Sequence, residues 1–227
     1  MDKALQMIQL QQQLNDTTNG ENWENGLTKN NKRIDWKRCI YMECAEMIDS
    51  FAWKHWKSIN AEPDFANLQI EVVDVWHFVI SLALQEYRKE FKGGVEDLAF
   101  NISQFSEYDA LKADVAFATP QEIMLQVEGL MFLVLNPSEF DLEALIKAFL
   151  SLCVGSNLDL NALYRLYVGK NILNQFRQDH GYKDGSYIKV WNGVEDNLIM
   201  KAIWQEQGEL KPEELYKQLE LKYDVLP

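Results

Sequence analysis

Apolar residues recur at the three- and four-residue spacing of an α-helix along most of this chain. In the first such stretch, Met7, Leu10 and Leu14 fall on one helical face. The pattern predicts helices over residues 3–16, 36–56, 65–90, 95–104, 119–135, 139–153, 158–180, 195–207 and 212–223. No segment shows the two-residue alternation of a β-strand, and the glycine-rich stretch 181–194 is predicted to be a loop. The sequence therefore predicts an all-α fold.

One predicted helix start carries a full set of local signals. Thr119 is a favourable N-cap residue, Pro120 suits the first helical position, and Glu122 lies at the third position, where its carboxylate can reach back to the cap. The helix that begins here should extend to about Leu135.

The chain is long enough for one substantial hydrophobic core. Its 227 residues are 47% hydrophobic. The sequence contains no glycine-rich phosphate loop and no dinucleotide-binding fingerprint, so it gives no support for a P-loop or Rossmann fold. We predict a single helical domain over residues 1–227, in which residues 95–160 could form a smaller helical subdomain inserted between the parts that carry the candidate site.

Charge and cysteine content limit the partners and the compartment. The net charge of −13 argues against nucleic acid as a partner, since a nucleic-acid binder is expected to present a basic surface. The chain has three cysteines, an odd number, and none are in a Cys-x-x-Cys spacing. We therefore expect neither structural disulfides nor a zinc site. The N-terminus does not resemble a secretory signal, and the longest apolar run, 68–84, is too short to span a bilayer. We expect a cytoplasmic protein with no membrane partner.

Two pairs of acids lie in the most apolar stretches of the chain. Glu43 and Glu46 are three residues apart, as are Glu71 and Asp74, so each pair projects from one helical face. Any one such pair is usually a solvated helix face. If the two helices pack together, however, four carboxylates surround one small volume, where they need cations, and oxygen ligands select Mg²⁺ or a similar ion. We therefore predict a divalent-cation site that binds phosphates through the metal.

The segment 165–191 is cationic within an acidic chain. It has five basic residues against two acids, a local charge of +3: Arg165, Lys170, Arg177, Lys183 and Lys189 against Asp179 and Asp184. Such a segment suits a polyphosphate group. An ordinary helix end, where Arg177 and His180 meet the negative end of the helix dipole, is the open alternative.

Two side-chain amides on the first predicted helix offer a possible base contact. Gln11 and Asn15 are four residues apart, and their donors and acceptors match the edge of a pyrimidine. By itself such a pair is also typical of a solvated helix face.

At these residues the sequence resembles a known family. The runs Glu43-Cys-Ala-Glu-Met-Ile-Asp-Ser-Phe-Ala-Trp-Lys-His-Trp56 and Glu71-Val-Val-Asp-Val-Trp-His-Phe78 resemble motifs of the dimeric, all-α deoxyuridine triphosphatases (dUTPases). The later run Tyr167-Val-Gly-Lys-Asn-Ile-Leu-Asn-Gln-Phe-Arg-Gln-Asp-His-Gly-Tyr-Lys183 is similar to the third motif of that family. The similarity continues through Tyr187, Lys189, Trp191, Asn192-Gly193 and Glu195-Asp196-Asn197. The resemblance implies the helical bundle of the all-α nucleoside triphosphate pyrophosphatases, and a homodimer.

The resemblance also implies an activity and a set of roles. Members of the family hydrolyse dUTP to dUMP and pyrophosphate, accept dUDP, and use two or three Mg²⁺ ions. It implies that Glu43, Glu46, Glu71 and Asp74 hold the ions and that Glu46 orients or deprotonates the attacking water. Gln11, Asn15 and Trp53 would contact uracil and deoxyribose. The phosphates would be bound by Lys170, Asn171, Asn174, Arg177, Tyr182, Lys183, Lys189 and Asn197.

Two other functions stay open at this point. A related all-α pyrophosphatase acting on dCTP or another nucleoside triphosphate would carry the same acidic motifs. A non-catalytic helical interaction protein could keep the fold without the chemistry.

Overall fold

A computed structural model describes residues 2–58, 60–136, 139–207 and 210–224, and over these residues the predicted all-α fold is confirmed. The helices are α1 (Lys3–Asn19), α2 (Trp36–Asp49), α3 (Phe65–Lys89), α4 (Val95–Ser103), α5 (Ser106–Ala110), α6 (Pro120–Leu135), α7 (Leu142–Gly155), α8 (Leu160–Asp179), α9 (Asp196–Gln207) and α10 (Pro212–Tyr223). A 3-10 turn (Trp23–Asn25) and two short strands, β1 (Val190–Trp191) and β2 (Val194–Glu195), are also present. The short helix α5 has no counterpart among the predicted helices.

Contacts divide the chain into two compact units. The first is Met1–Tyr164 and the second is Arg165–Pro227, so the border falls within α8. The single domain over 1–227, with a subdomain at 95–160, stays a prediction.

Helix α3 forms the centre of the first unit. It packs against α1, α2 and α7, and Trp76 stacks on Phe149 of α7 with ring centroids 4.6 Å apart. By length and composition alone α3 could cross a membrane, but 72% of its most apolar window is buried inside the protein, as in the core helix of a globular fold. This well-packed helix carries Glu71 and Asp74 next to α2.

Helix α2 ends seven residues earlier than the sequence predicts. Its C-cap is Ser50, whose carbonyl accepts a hydrogen bond from the backbone N–H of Asp64 (2.8 Å) and whose hydroxyl accepts one from the side chain of Asn67 (3.0 Å). These bonds turn the chain back toward α3. The predicted extension of the helix to Trp56 was therefore wrong, and Trp53 lies in the loop that follows α2.

The start of α6 confirms the capping signals of the sequence. The Thr119 hydroxyl accepts a hydrogen bond from the Glu122 backbone N–H (3.3 Å), and the Glu122 carboxylate accepts one from the Thr119 N–H (2.9 Å). Pro120 occupies the first turn. The helix ends at Leu135, as predicted.

The second unit contains a hairpin within the predicted loop 181–194. Val190 pairs with Glu195 and Trp191 pairs with Val194 across the two-residue turn Asn192–Gly193. Both turn residues have positive φ angles (50° and 86°), as the tight turns of twisted hairpins require. The expectation that the chain contains no strand was wrong here. The hairpin buries Trp191 against a core of Leu173, Phe176, Met200, Ile203, Leu215 and Leu219.

Candidate active site

Three carboxylates of the first unit converge between α2 and α3. One oxygen from each of Glu43, Glu46 and Glu71 lies within 4.8 Å of the others. Glu43 and Glu71 are half-buried, whereas Glu46 is exposed. The arrangement concentrates negative charge between α2 and α3, two helices that pack against each other.

The donor set of this group fits a hard divalent cation. Glu43, Glu46 and Glu71 would hold such an ion through their carboxylate oxygens, the ligand type that Mg²⁺ and Ca²⁺ prefer. Asp74 lies on α3 one turn after Glu71 and is half-buried, but it is outside the group of three. Its role as a fourth ligand stays a prediction.

Trp53 lies beside the last acid of α2. Its indole N–H donates to Asp49 (3.1 Å), which also accepts a hydrogen bond from Lys54 (2.8 Å). The hydrogen bonds from Lys54 and then Trp53 lower the pKa of the Asp49 carboxyl below its usual value. Trp53 is 42% exposed and packs edge-on against Trp56, and Lys54 Nζ lies over its ring, 5.0 Å from the ring centroid.

Gln11 and Asn15 are buried, in contrast to a solvated helix face. His77 Nδ1 lies 2.6 Å from Gln11 Oε1, and the Gln11 amide donates to Asn15 Oδ1 (3.1 Å). The Asn15 amide donates to Ser81 Oγ (2.9 Å), and Ser81 donates to the backbone carbonyl of His77 (2.7 Å). All four residues are at most 3% exposed. We refer to these four hydrogen bonds as the amide circuit, which fixes both side-chain amides against α3.

Hydrogen bonds link Lys170, Asn174, Arg177 and Asn197 among the predicted phosphate-binding residues of the second unit. Lys170, Asn171, Arg177 and Asn197 are buried, and Asn174 is half-buried. Lys170 Nζ donates to Asn197 Oδ1 (2.7 Å), and Arg177 Nη1 donates to Asn174 Oδ1 (3.2 Å). The three remaining members of the predicted set, Tyr182, Lys183 and Lys189, are exposed.

No role was assigned from the sequence to Asp196, a buried acid that pairs with Arg177. Its two oxygens accept hydrogen bonds from Arg177 Nε and Nη2, both at 2.8 Å. Asp196 lies beyond the cationic segment, directly after the hairpin. The local charge of +3 over 165–191 therefore overstates the charge of the folded segment. An acid that follows an Asn-Gly turn and precedes Asn197 was the available signal.

The sequence profile of the dUTPase family matches residues 3–182 of this chain. The chain belongs to the dUTPase family. As a member of that family, it hydrolyses dUTP. No curated protein sequence matches the chain.

The region of this dUTPase that matches the family profile contains the converging carboxylates and the amide circuit. It ends at Tyr182, so Lys183, Lys189, Asp196 and Asn197 lie beyond it. The assignment of individual residues to ions, base and phosphates stays a prediction.

Proposed function

We propose that this dUTPase depends on Mg²⁺, hydrolyses dUTP to dUMP and pyrophosphate, accepts dUDP as well, and works in the cytoplasm. The observation that carries the metal dependence is the approach of Glu43, Glu46 and Glu71 within 4.8 Å of one another. Such a group of oxygen donors favours a hard cation. With Asp74, these carboxylates would hold two or three ions.

The four acids differ in exposure, which suggests a division of roles. The half-buried Glu43, Glu71 and Asp74 are suited to holding cations, whereas the exposed Glu46 is also accessible to water. We assign to Glu46 the orientation of the attacking water and the acceptance of its proton. When bound, Mg²⁺ supplies positive charge that activates water and stabilises the phosphoryl oxygens.

The rest of the substrate is assigned to two further groups of residues. Gln11, Asn15 and Trp53 bind uracil and deoxyribose, because two fixed amides match a pyrimidine edge and the partly exposed indole offers apolar surface. The phosphates are bound by Lys170, Asn171, Asn174, Arg177, Tyr182, Lys183, Lys189 and Asn197. A chain with a net charge of −13 needs such local cations to accept a polyanion.

A nucleotide panel tests this function directly. Pyrophosphate should be released from dUTP, and phosphate from dUDP, only while Mg²⁺ is present, and removal of the metal with a chelator should stop both reactions reversibly. Other deoxynucleoside triphosphates serve as matched controls. Preferential hydrolysis of dCTP would identify a related pyrophosphatase instead, and no hydrolysis at all would favour an interaction protein.

The exposed face of α6 supports our further proposal of a homodimer. Leu125, Phe132 and Leu135 are 56%, 68% and 57% exposed on this helix, and a Cβ atom added at Gly129 would meet no atom within 4 Å. This stripe of large apolar side chains also contains the exposed Glu128, three residues after Leu125 and four before Phe132. Large apolar side chains grouped on one exposed helix face are typical of a protein–protein contact, and self-association of this face would bury them.

Phe132→Glu should therefore convert a dimer of 26.5 kDa chains into monomers, which sedimentation velocity would detect. Phe100→Glu on α4 is the control, because Phe100 is similarly exposed (65%) but lies outside this stripe. If the unmodified protein sediments as a monomer, the proposal of a homodimer is wrong.

A further inference from the structure

Asp196 is a buried acid in the second unit's candidate phosphate site, and its carboxylate accepts four hydrogen bonds. Its Oδ2 accepts hydrogen bonds from Arg177 Nε and the Tyr187 hydroxyl, and its Oδ1 accepts from Arg177 Nη2 and the Asn197 backbone N–H, all at 2.8 Å. Burial and the charge of Asp196 raise the pKa of the Tyr187 hydroxyl, which keeps the hydroxyl protonated as a donor. Four hydrogen bonds from three residues therefore fix the position of the Asp196 carboxylate.

The bonds of Asp196 extend through Arg177 to the residues assigned to the phosphates. Arg177 Nη1 donates to Asn174 Oδ1 (3.2 Å), and its Nη2 donates to Asn197 Oδ1 (3.3 Å). The same Asn197 oxygen accepts from Lys170 Nζ (2.7 Å). Four N–H donors of Arg177 are thus directed at protein groups, which is the pattern of a side chain that organises its neighbours.

We propose that Asp196 is a positioning residue for the β- and γ-phosphates, acting through Arg177 to hold Asn174, Asn197 and Lys170 in the geometry that binds them. This inference rests on the proposed function, in which those residues bind the polyphosphate.

Two explanations for a buried acid beside a phosphate site predict opposite results. If Asp196 only lowers the local positive charge, its neutralisation strengthens the binding of a polyanion. If Asp196 positions the binding groups, its neutralisation weakens that binding even though the site becomes more positive. The sign of the change therefore distinguishes the two explanations.

The test is calorimetric binding of a non-hydrolysable dUTP analogue and of dUMP, with Mg²⁺, to Asp196→Asn protein. We expect the Kd for the analogue to rise about 10–100-fold, the range that corresponds to losing one or two charge-assisted hydrogen bonds. The Kd for dUMP should stay unchanged. In turnover assays, KM for dUTP should rise more than kcat falls, because the change affects binding of the phosphates and leaves the converging carboxylates intact.

Asp184→Asn is the matched control. Asp184 also lies in the second unit and is exposed, and its carboxylate accepts a hydrogen bond from Ser186, so the substitution removes the same charge without disturbing the network around Arg177. Tyr187→Phe removes one hydrogen bond to Asp196 but leaves the charge of Asp196 in place. It should raise the Kd for the analogue by a smaller factor than Asp196→Asn does. If circular dichroism shows that Asp196→Asn does not fold, Tyr187→Phe still tests the proposal.

Lys170→Met separates failure of this inference from failure of the proposed function. If Lys170→Met weakens analogue binding while Asp196→Asn and Tyr187→Phe behave like Asp184→Asn, or bind more tightly, Asp196 has no positioning role. If Lys170→Met has no effect either, the assignment of this network to the phosphates is itself wrong.

Discussion

Glu46→Gln is expected to slow dUTP turnover by about 10²–10⁴-fold while the protein still binds dUTP, since the loss of one metal ligand or general base has effects of this size. The amide keeps the shape of the side chain but neither accepts a proton nor carries the charge that attracts a cation. The group of Glu43, Glu46 and Glu71 would then retain two carboxylates. Single-turnover kinetics with saturating Mg²⁺, together with calorimetric binding of a non-hydrolysable analogue, would separate turnover from binding.

Glu86→Gln is a suitable control for that experiment. It makes the same chemical change on α3, at a carboxylate that bonds Lys89 outside the converging group, and turnover should be unaffected. Near-normal turnover in Glu46→Gln would place the general base on another residue.

Gln11→Ala should raise KM for dUTP more than it lowers kcat, and should reduce the preference for dUTP over dCTP. A site that hydrogen-bonds a substrate group can reject an analogue by about 10⁴-fold, because misreading leaves buried polar groups without partners. The amide circuit holds the Gln11 amide in one orientation. In the proposed binding mode that orientation would match the edge of uracil and would not match cytosine, whose exocyclic amine reverses the pattern of donors and acceptors. Steady-state kinetics with both nucleotides measures the change.

Ser81→Ala provides the comparison for Gln11. It removes the hydrogen bond from Asn15 to Ser81 and disturbs the same buried region, but it leaves the Gln11 amide in place. Its melting temperature should fall, and its preference for dUTP should fall less than in Gln11→Ala, because the Gln11 amide remains while only the hydroxyl that sets the direction of the circuit is lost. An equal loss of activity toward every nucleotide in Gln11→Ala would show that Gln11 has a structural role alone.

Local signals predicted most helix boundaries, and distant contacts explain the errors. Thr119 and Glu122 cap α6 with bonds to each other, so the sequence alone sufficed there. The end of α2 depends on a bond between Ser50 and Asn67, which are 17 positions apart, and no local pattern contains it. The hairpin has two residue pairs, too few to show a strand's alternation, although its Asn192–Gly193 turn was a usable signal.

The candidate site shows the same division between local and distant information. Glu43, Glu46 and Glu71 stood out because acids are rare in such apolar helices, and the structure brings these three together. The burial of Gln11 could not be predicted, because its partner His77 is 66 positions away. Asp196 was given no role for a similar reason, because its partner Arg177 is 19 positions away in the sequence.

The direction of the amide circuit follows from a single backbone atom. The carbonyl oxygen of His77 can only accept, so Ser81 must donate to it and must in turn accept from the Asn15 amide nitrogen. Asn15 then presents its oxygen to Gln11, and Gln11 presents its own oxygen to His77, whose Nδ1 must carry the proton. The orientation of the amides that we assign to uracil is thus inherited from the main chain of α3. No side-chain substitution can change the polarity of that carbonyl, so a switch from uracil to cytosine would have to replace the circuit rather than reverse it.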